Sequence, residues 1–66
     1  MVSETDIRRA AYLVIQKYGA AGEARAEQWA QHFRDSGDTA ASNTWTQISK
    51  AIPELQKLVA LQNQSD

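Results

Sequence analysis

Residues 45–59 read WTQISKAIPELQKLV, and within them Trp45, Ile48, Ile52, Leu55 and Val59 recur at intervals of three, four, three and four. Positions three and four apart stack on successive helical turns, so this spacing lays one apolar seam along a single helix face. Such a seam must be covered by the rest of the chain, by a second copy or by another protein. Packing and partnership are the subjects these residues address, and no motif among them specifies a chemical activity.

Pro53 interrupts the pattern. It lacks an amide proton, and its ring collides with the carbonyl four residues back, that of Ser49. Because the apolar period stays in phase from Ile52 to Leu55 and Val59, the third helix is predicted over 39–61, kinked or split at Pro53, with a frayed polar tail over 62–66. Asp38 and Thr39 are its candidate N-caps, after the Ser36-Gly37-Asp38 turn.

Two more helical segments precede it. Over 5–18, Ile7, Ala10, Ala11, Val14 and Tyr18 recur at three- and four-residue intervals and form the expected buried face. Ser3 or Thr5 caps the start, Glu4 and Asp6 face the positive end of the helix dipole, and Gly19 supplies the stop. Over 21–35 the apolar stripe is Ala26, Trp29, Ala30 and Phe33, in which small residues admit a neighbouring helix and the aromatics fill the space between axes. Glu27, Gln28, Gln31 and Arg34 are expected to face water. No stretch has the period-two alternation of a strand. The fold class expected is therefore all-α, a three-helix bundle occupying 1–66 as a single domain.

Size and charge narrow the function. The chain has 66 residues, 42% hydrophobic and 23% charged, too apolar for a disordered linker. A core this small yields about 3–5 kcal/mol, and small domains often add a metal, disulfides or oligomerisation. With no cysteine the disulfide route is closed, which fits a reducing compartment. No apolar run is long enough for a membrane span, and the acidic start lacks the features of a secretory signal. The expected location is the cytoplasm. Seven basic against eight acidic residues give a net charge of −1 and a pI near 5.7, which argues against nucleic acid, whose binding domains usually have a pI above about 9.

The chemical inventory is thin. His32 is the only histidine; Asp35 follows three residues on, but neither a second histidine nor a cysteine completes a metal site. The serines at 3, 36, 42, 49 and 65 read as caps, turns and helix surface, and none sits in a nucleophile-elbow context. Glu23 and Glu27, four apart, read as a solvated face rather than an acid/base pair. Gly19 and Gly22 frame an Ala-Ala turn with no phosphate-loop lysine after it. No enzyme, cofactor, metal or small-molecule substrate is expected.

What the inventory offers instead is surface. Trp29 and Trp45 fall on predicted apolar faces and are expected to supply the bulk of the core, with partner anchoring as the competing role, since interface anchors are enriched in Trp, Tyr and Arg. Tyr12 and Leu13 lie off the main stripe of the first helix, beside Arg8, Arg9, Gln16 and Lys17; exposed, they would make an apolar centre with a basic rim. The bland reading leaves Leu13 and Ile15 half-buried. Leu55, Leu58, Val59 and Leu61 exceed what a short segment can bury, which favours a symmetric second copy or a different protein over them.

The opening Asp6-Ile7-Arg8-Arg9-Ala10-Ala11, the pair Gly37-Asp38 and the close Trp45-x-x-Ile48-x-x-Ala51-Ile52-x-Glu54-Leu55-Gln56 resemble a group of short uncharacterised bacterial helical proteins. Those proteins share a D-I-R-R-[AS]-A opening and a G-D…W-x-x-I-x-x-A-I-x-E-L close. The resemblance implies a small helical protein and carries over no active site; Pro53 stands where the group's pattern would favour a helix former.

The expectation is thus a small non-enzymatic interaction module or regulator that binds a protein partner or forms a homodimer. Trp45, Ile52, Leu55, Leu58 and Val59 are the contact residues, with Arg8 and Arg9 as a secondary rim. The alternative is a helix-turn-helix-like DNA-binding regulator, for which the Ser36-Gly37-Asp38 turn is the hint. Against it, the helix opening Asp38, Thr39, Ala40, Ala41, Ser42 and Asn43 has no early arginine to read guanine.

Overall fold

A computed structural model describes residues 3–63, with the side chains of Val59, Gln62 and Asn63 outside the description. The chain is all-α. Helix α1 spans Glu4–Tyr18, a 3₁₀ turn covers Gly19–Ala21, α2 spans Gly22–Asp35 and α3 spans Thr39–Asn63. Among the described residues there is no strand.

The caps follow the local chemistry. Ser3 Oγ accepts from the Asp6 amide at 3.2 Å and opens α1. Asp38 Oδ1 accepts from the Ala41 amide at 3.0 Å and opens α3. Gly37, at φ 85°, turns the chain between α2 and α3, a conformation that side chains resist.

Two expectations about the elements need correction. The junction between α1 and α2 is not a loop: the 3₁₀ turn joins them directly, so the chain forms two uninterrupted helical runs, 4–35 and Thr39–Asn63, where three separated helices were expected. Gly19 makes the corner at φ 56° and ψ −127°, while its amide still donates to the Ile15 carbonyl. The second concerns Pro53 and touches only the split form: of the kinked or split helix expected, with a continuous path favoured, α3 is continuous through the proline. α3 runs two residues past its predicted end, and the tail from 64 onward lies outside the described residues.

α2 folds back along α3. Near one end Ser42 Oγ donates to the Ala30 carbonyl at 3.0 Å; near the other, Gln56 Nε2 donates to the Gly19 carbonyl at 3.3 Å. The close approach is made by small side chains. Gly22, Ala26 and Ala30, one per turn of α2, are buried, and so are Ser42 and Ser49 of α3. Those two serines were expected at the surface; Ser42 is instead buried with its hydroxyl satisfied across the interface, and Ser49 satisfies its own by donating to the Thr46 carbonyl at 2.8 Å. At the corner, a Cβ on Gly22 would meet Val14 Cγ1 at 3.4 Å, so α1 also packs tightly there.

The core is formed by Ile7 and Ala11 of α1, Ala26 of α2, and Ile48 and Ile52 of α3, with Ala10, Val14, Ile15, Trp45, Ala51 and Leu55 packed against it. The seam that opened the sequence reading is therefore covered, over its described side chains, by the chain itself. α3 has 25 residues against 15 and 14 for its neighbours, which at about 1.5 Å per residue makes it the longest rod by some 15 Å. The molecule is accordingly elongated, 47 × 23 × 15 Å.

Candidate interaction cleft

A cleft of about 330 Å³ lies between the helices. α1 contributes Leu13, Val14, Lys17 and Tyr18; α2 contributes Arg25, Trp29 and Phe33; α3 contributes Trp45. Its apolar character comes from side chains that the small-residue stripe pushes aside. With Gly22, Ala26 and Ala30 against α3, Trp29 falls at the edge of the packed face and is 41% exposed. Leu13 across the cleft is 58% exposed. Exposed side chains of this size, gathered around one hollow, mark a surface that a partner can remove from water.

Aromatic contacts hold the cleft in shape. The Trp29 and Trp45 rings lie 6.2 Å apart between centroids, Trp29 and Phe33 6.3 Å, and His32 meets the Trp29 ring edge-on at 5.8 Å. On the other side of Trp29 lies a second hollow of about 230 Å³, bounded by Arg25, Gln28, Trp29 and His32. At the mouth of the cleft, Tyr18 carries two cations: Lys17 Nζ lies 5.5 Å and Arg25 Cζ 5.3 Å from its ring centroid.

The sequence-derived contact residues separate on this frame. Trp45 reaches the cleft while packing on the core. Ile52 is completely buried and presents no surface, because it sits where α3 meets the buried small residues of α1 and α2; it belongs to the core of the single chain. Leu55 is half-buried against that core. Leu58 is exposed, with Leu61 one turn on, where α3 outruns its neighbours. The Val59 side chain lies outside the described residues. Arg8 and Arg9 are exposed, and Arg8 pairs with Glu4 at 3.2 Å in a solvated i, i+4 bridge of little energetic consequence. Of those whose side chains are described, Trp45 alone is brought to the cleft.

Leu13, Lys17, Arg25 and Trp29 carry the site, and the seam did not point to them. Trp29 was expected in the core; its exposure is a correction, made legible by the Gly22-Ala26-Ala30 spacing. The half-buried reading of Leu13 likewise gives way to exposure, while Ile15 is half-buried.

A polar hollow on the opposite side of α2, bounded by Glu23, Glu27, Gln31, Arg34, Thr46 and Lys50 among others, gathers charges of both signs. Among the described residues no group of three or more His, Asp or Glu is placed to hold a metal ion, and no helix is long and apolar enough to cross a membrane. No family model, curated protein or solved structure matches the chain.

Proposed function

We propose that this protein is a small non-enzymatic interaction module or regulator that works in the cytoplasm by seating part of another protein in the cleft between its helices. The observation that carries the reading is the joint exposure of Leu13 and Trp29 on facing helices over a floor of Phe33 and Trp45. Interface anchors are typically large aromatics set in a concave apolar surface, with cations at the rim. Lys17, expected in the basic rim beside Leu13, is joined there by Arg25 in place of Arg8 and Arg9.

The exposed Leu58 and Leu61 supply a second apolar surface, suited to a second copy of the chain. A bend of α3 at Pro53, and kinship with the short bacterial helical proteins, belong to the same reading. The helix-turn-helix alternative is less well supported, because α2 lies alongside α3 over its length, whereas that motif crosses its two helices steeply.

Affinity capture from lysate of the source organism, with and without nuclease, tests the reading with wild type and Leu13→Glu side by side. A stoichiometric, nuclease-resistant protein lost on Leu13→Glu is the expected result. Nuclease-sensitive recovery that survives Leu13→Glu and disappears on Arg8→Ala plus Arg9→Ala would overturn it in favour of a nucleic-acid binder.

A further inference from the structure

We propose that the occupant of the cleft is an acidic amphipathic helix that lies across Trp29, its apolar anchors seated against Leu13, Trp29 and Trp45 and a carboxylate placed over Lys17 and Arg25. The inference rests on the interaction reading above and adds the partner's charge and secondary structure.

Charge complementarity argues the first half. The chain as a whole is net −1, yet among the described residues no Asp or Glu borders either hollow; the charged groups there are Lys17 and Arg25. The only ion pair among the described residues is Arg8 with Glu4, so among them no carboxylate neutralises either cleft cation. Both are held on the Tyr18 ring. An arginine resting on an aromatic face keeps its N–H donors for a planar acid group, and ordering in advance lowers the entropy lost on binding. A basic helix would meet two like charges beside the Tyr18 ring.

Shape argues the second half. Trp29 and Arg25 are walls common to the hollows of about 330 and 230 Å³. The Trp29 ring is thus a ridge, with Trp45 at 6.2 Å on one flank and His32 at 5.8 Å on the other. Side chains at i and i+4 of a helix stand roughly 5–6 Å apart at Cβ and can straddle such a ridge.

The test titrates the intact protein with a synthetic helical peptide of about 16 residues carrying Leu at i, i+3, i+4 and i+7 among Glu, against the same peptide with Lys for every Glu. Tryptophan fluorescence and amide chemical shifts report binding. The expected result is saturable binding of the Glu peptide, mapping to Leu13, Trp29 and Trp45, with the Lys peptide at least about tenfold weaker. Lys17→Gln plus Arg25→Gln should remove that difference, and Lys57→Gln, away from the cleft, should leave it, with circular dichroism confirming that each variant keeps its helix. Equal binding of both peptides at Trp29 would overturn the acidic partner and leave the interaction module standing. Binding of neither peptide would overturn the helical occupant. A concentration-dependent dimer abolished by Trp29→Glu would replace it with a second copy of this chain.

Discussion

The indoles of Trp29 and Trp45 meet across the α2–α3 interface with centroids 6.2 Å apart and planes 32° from parallel, one ring open to solvent and the other resting on the core. The pair couples the fold to its surface, since Trp45 fixes the position of a side chain whose exposed face is free to receive a partner.

Truncating the outer ring should therefore separate function from stability. Trp29→Ala is expected to cost roughly 0.5–1.5 kcal/mol for the lost aromatic contacts beyond the apolar area the ring buries, and less in all than the roughly 3–5 kcal/mol of an enclosed tryptophan, because the ring is part exposed. Circular dichroism should report unchanged helix while partner capture is lost. Cooperative unfolding at room temperature would instead assign Trp29 to the core.

Ile52 and Leu58 came from the same apolar pattern and should behave in opposite ways. Ile52 is fully enclosed, so Ile52→Ala is expected to cost about 2–5 kcal/mol, comparable with the whole stability of a domain this size. Leu58, 56% exposed, should accept Leu58→Asp with its helix signal intact. Sedimentation of the Leu58 variant then reads self-association directly: a dimer lost on that change places the interface at the end of α3.

The elements were legible because each is marked by its own local chemistry. Ser3 and Asp38 cap where their hydroxyl and carboxylate fall, and the face formed by Ile7, Ala11, Val14 and Tyr18 is the one that packs. The site was not legible from the seam, because hydrophobic size and packing position diverge on α2. Backbones approach most closely where side chains are smallest, so Gly22, Ala26 and Ala30 take the buried stripe and the tryptophan between them is left at the margin. The continuity of α1 into α2 was hidden for a different reason: glycine at 19 signals a change of direction equally well before a loop or before a 3₁₀ turn.

Ser42 tests the small-residue interface. Its hydroxyl is buried and donates to the Ala30 carbonyl at 3.0 Å, so Ser42→Ala removes a cross-helix bond without changing the approach of the backbones. A loss of roughly 1 kcal/mol is expected in chemical denaturation. Ser42→Leu should be far worse, because its bulk forces α2 and α3 apart.

Gly19 should resist substitution for conformational reasons alone. A Cβ there meets no atom within 4 Å, yet φ 56° with ψ −127° is a region that side chains seldom adopt. Gly19→Ala is expected to destabilise by roughly 1–3 kcal/mol. Unchanged stability would mean that the corner relaxes at little cost.

Pro53 offers the reverse experiment, a substitution that should stabilise. It lies on the exposed side of an unbroken α3, where the missing amide leaves the Ser49 carbonyl without its usual helical donor. The Ser49 hydroxyl, already given to Thr46, cannot compensate. Pro53→Ala restores the donor, removes the ring from the path of the helix and disturbs no buried side chain. A gain of about 1–3 kcal/mol is expected, part of the penalty of an interior proline, and each kcal/mol should raise Tm by about 4–8 °C in a domain of this size. A fall in Tm would show that the proline is accommodated by a bend that α3 needs in order to follow α1, and that straightening the helix pulls Leu55 off the core.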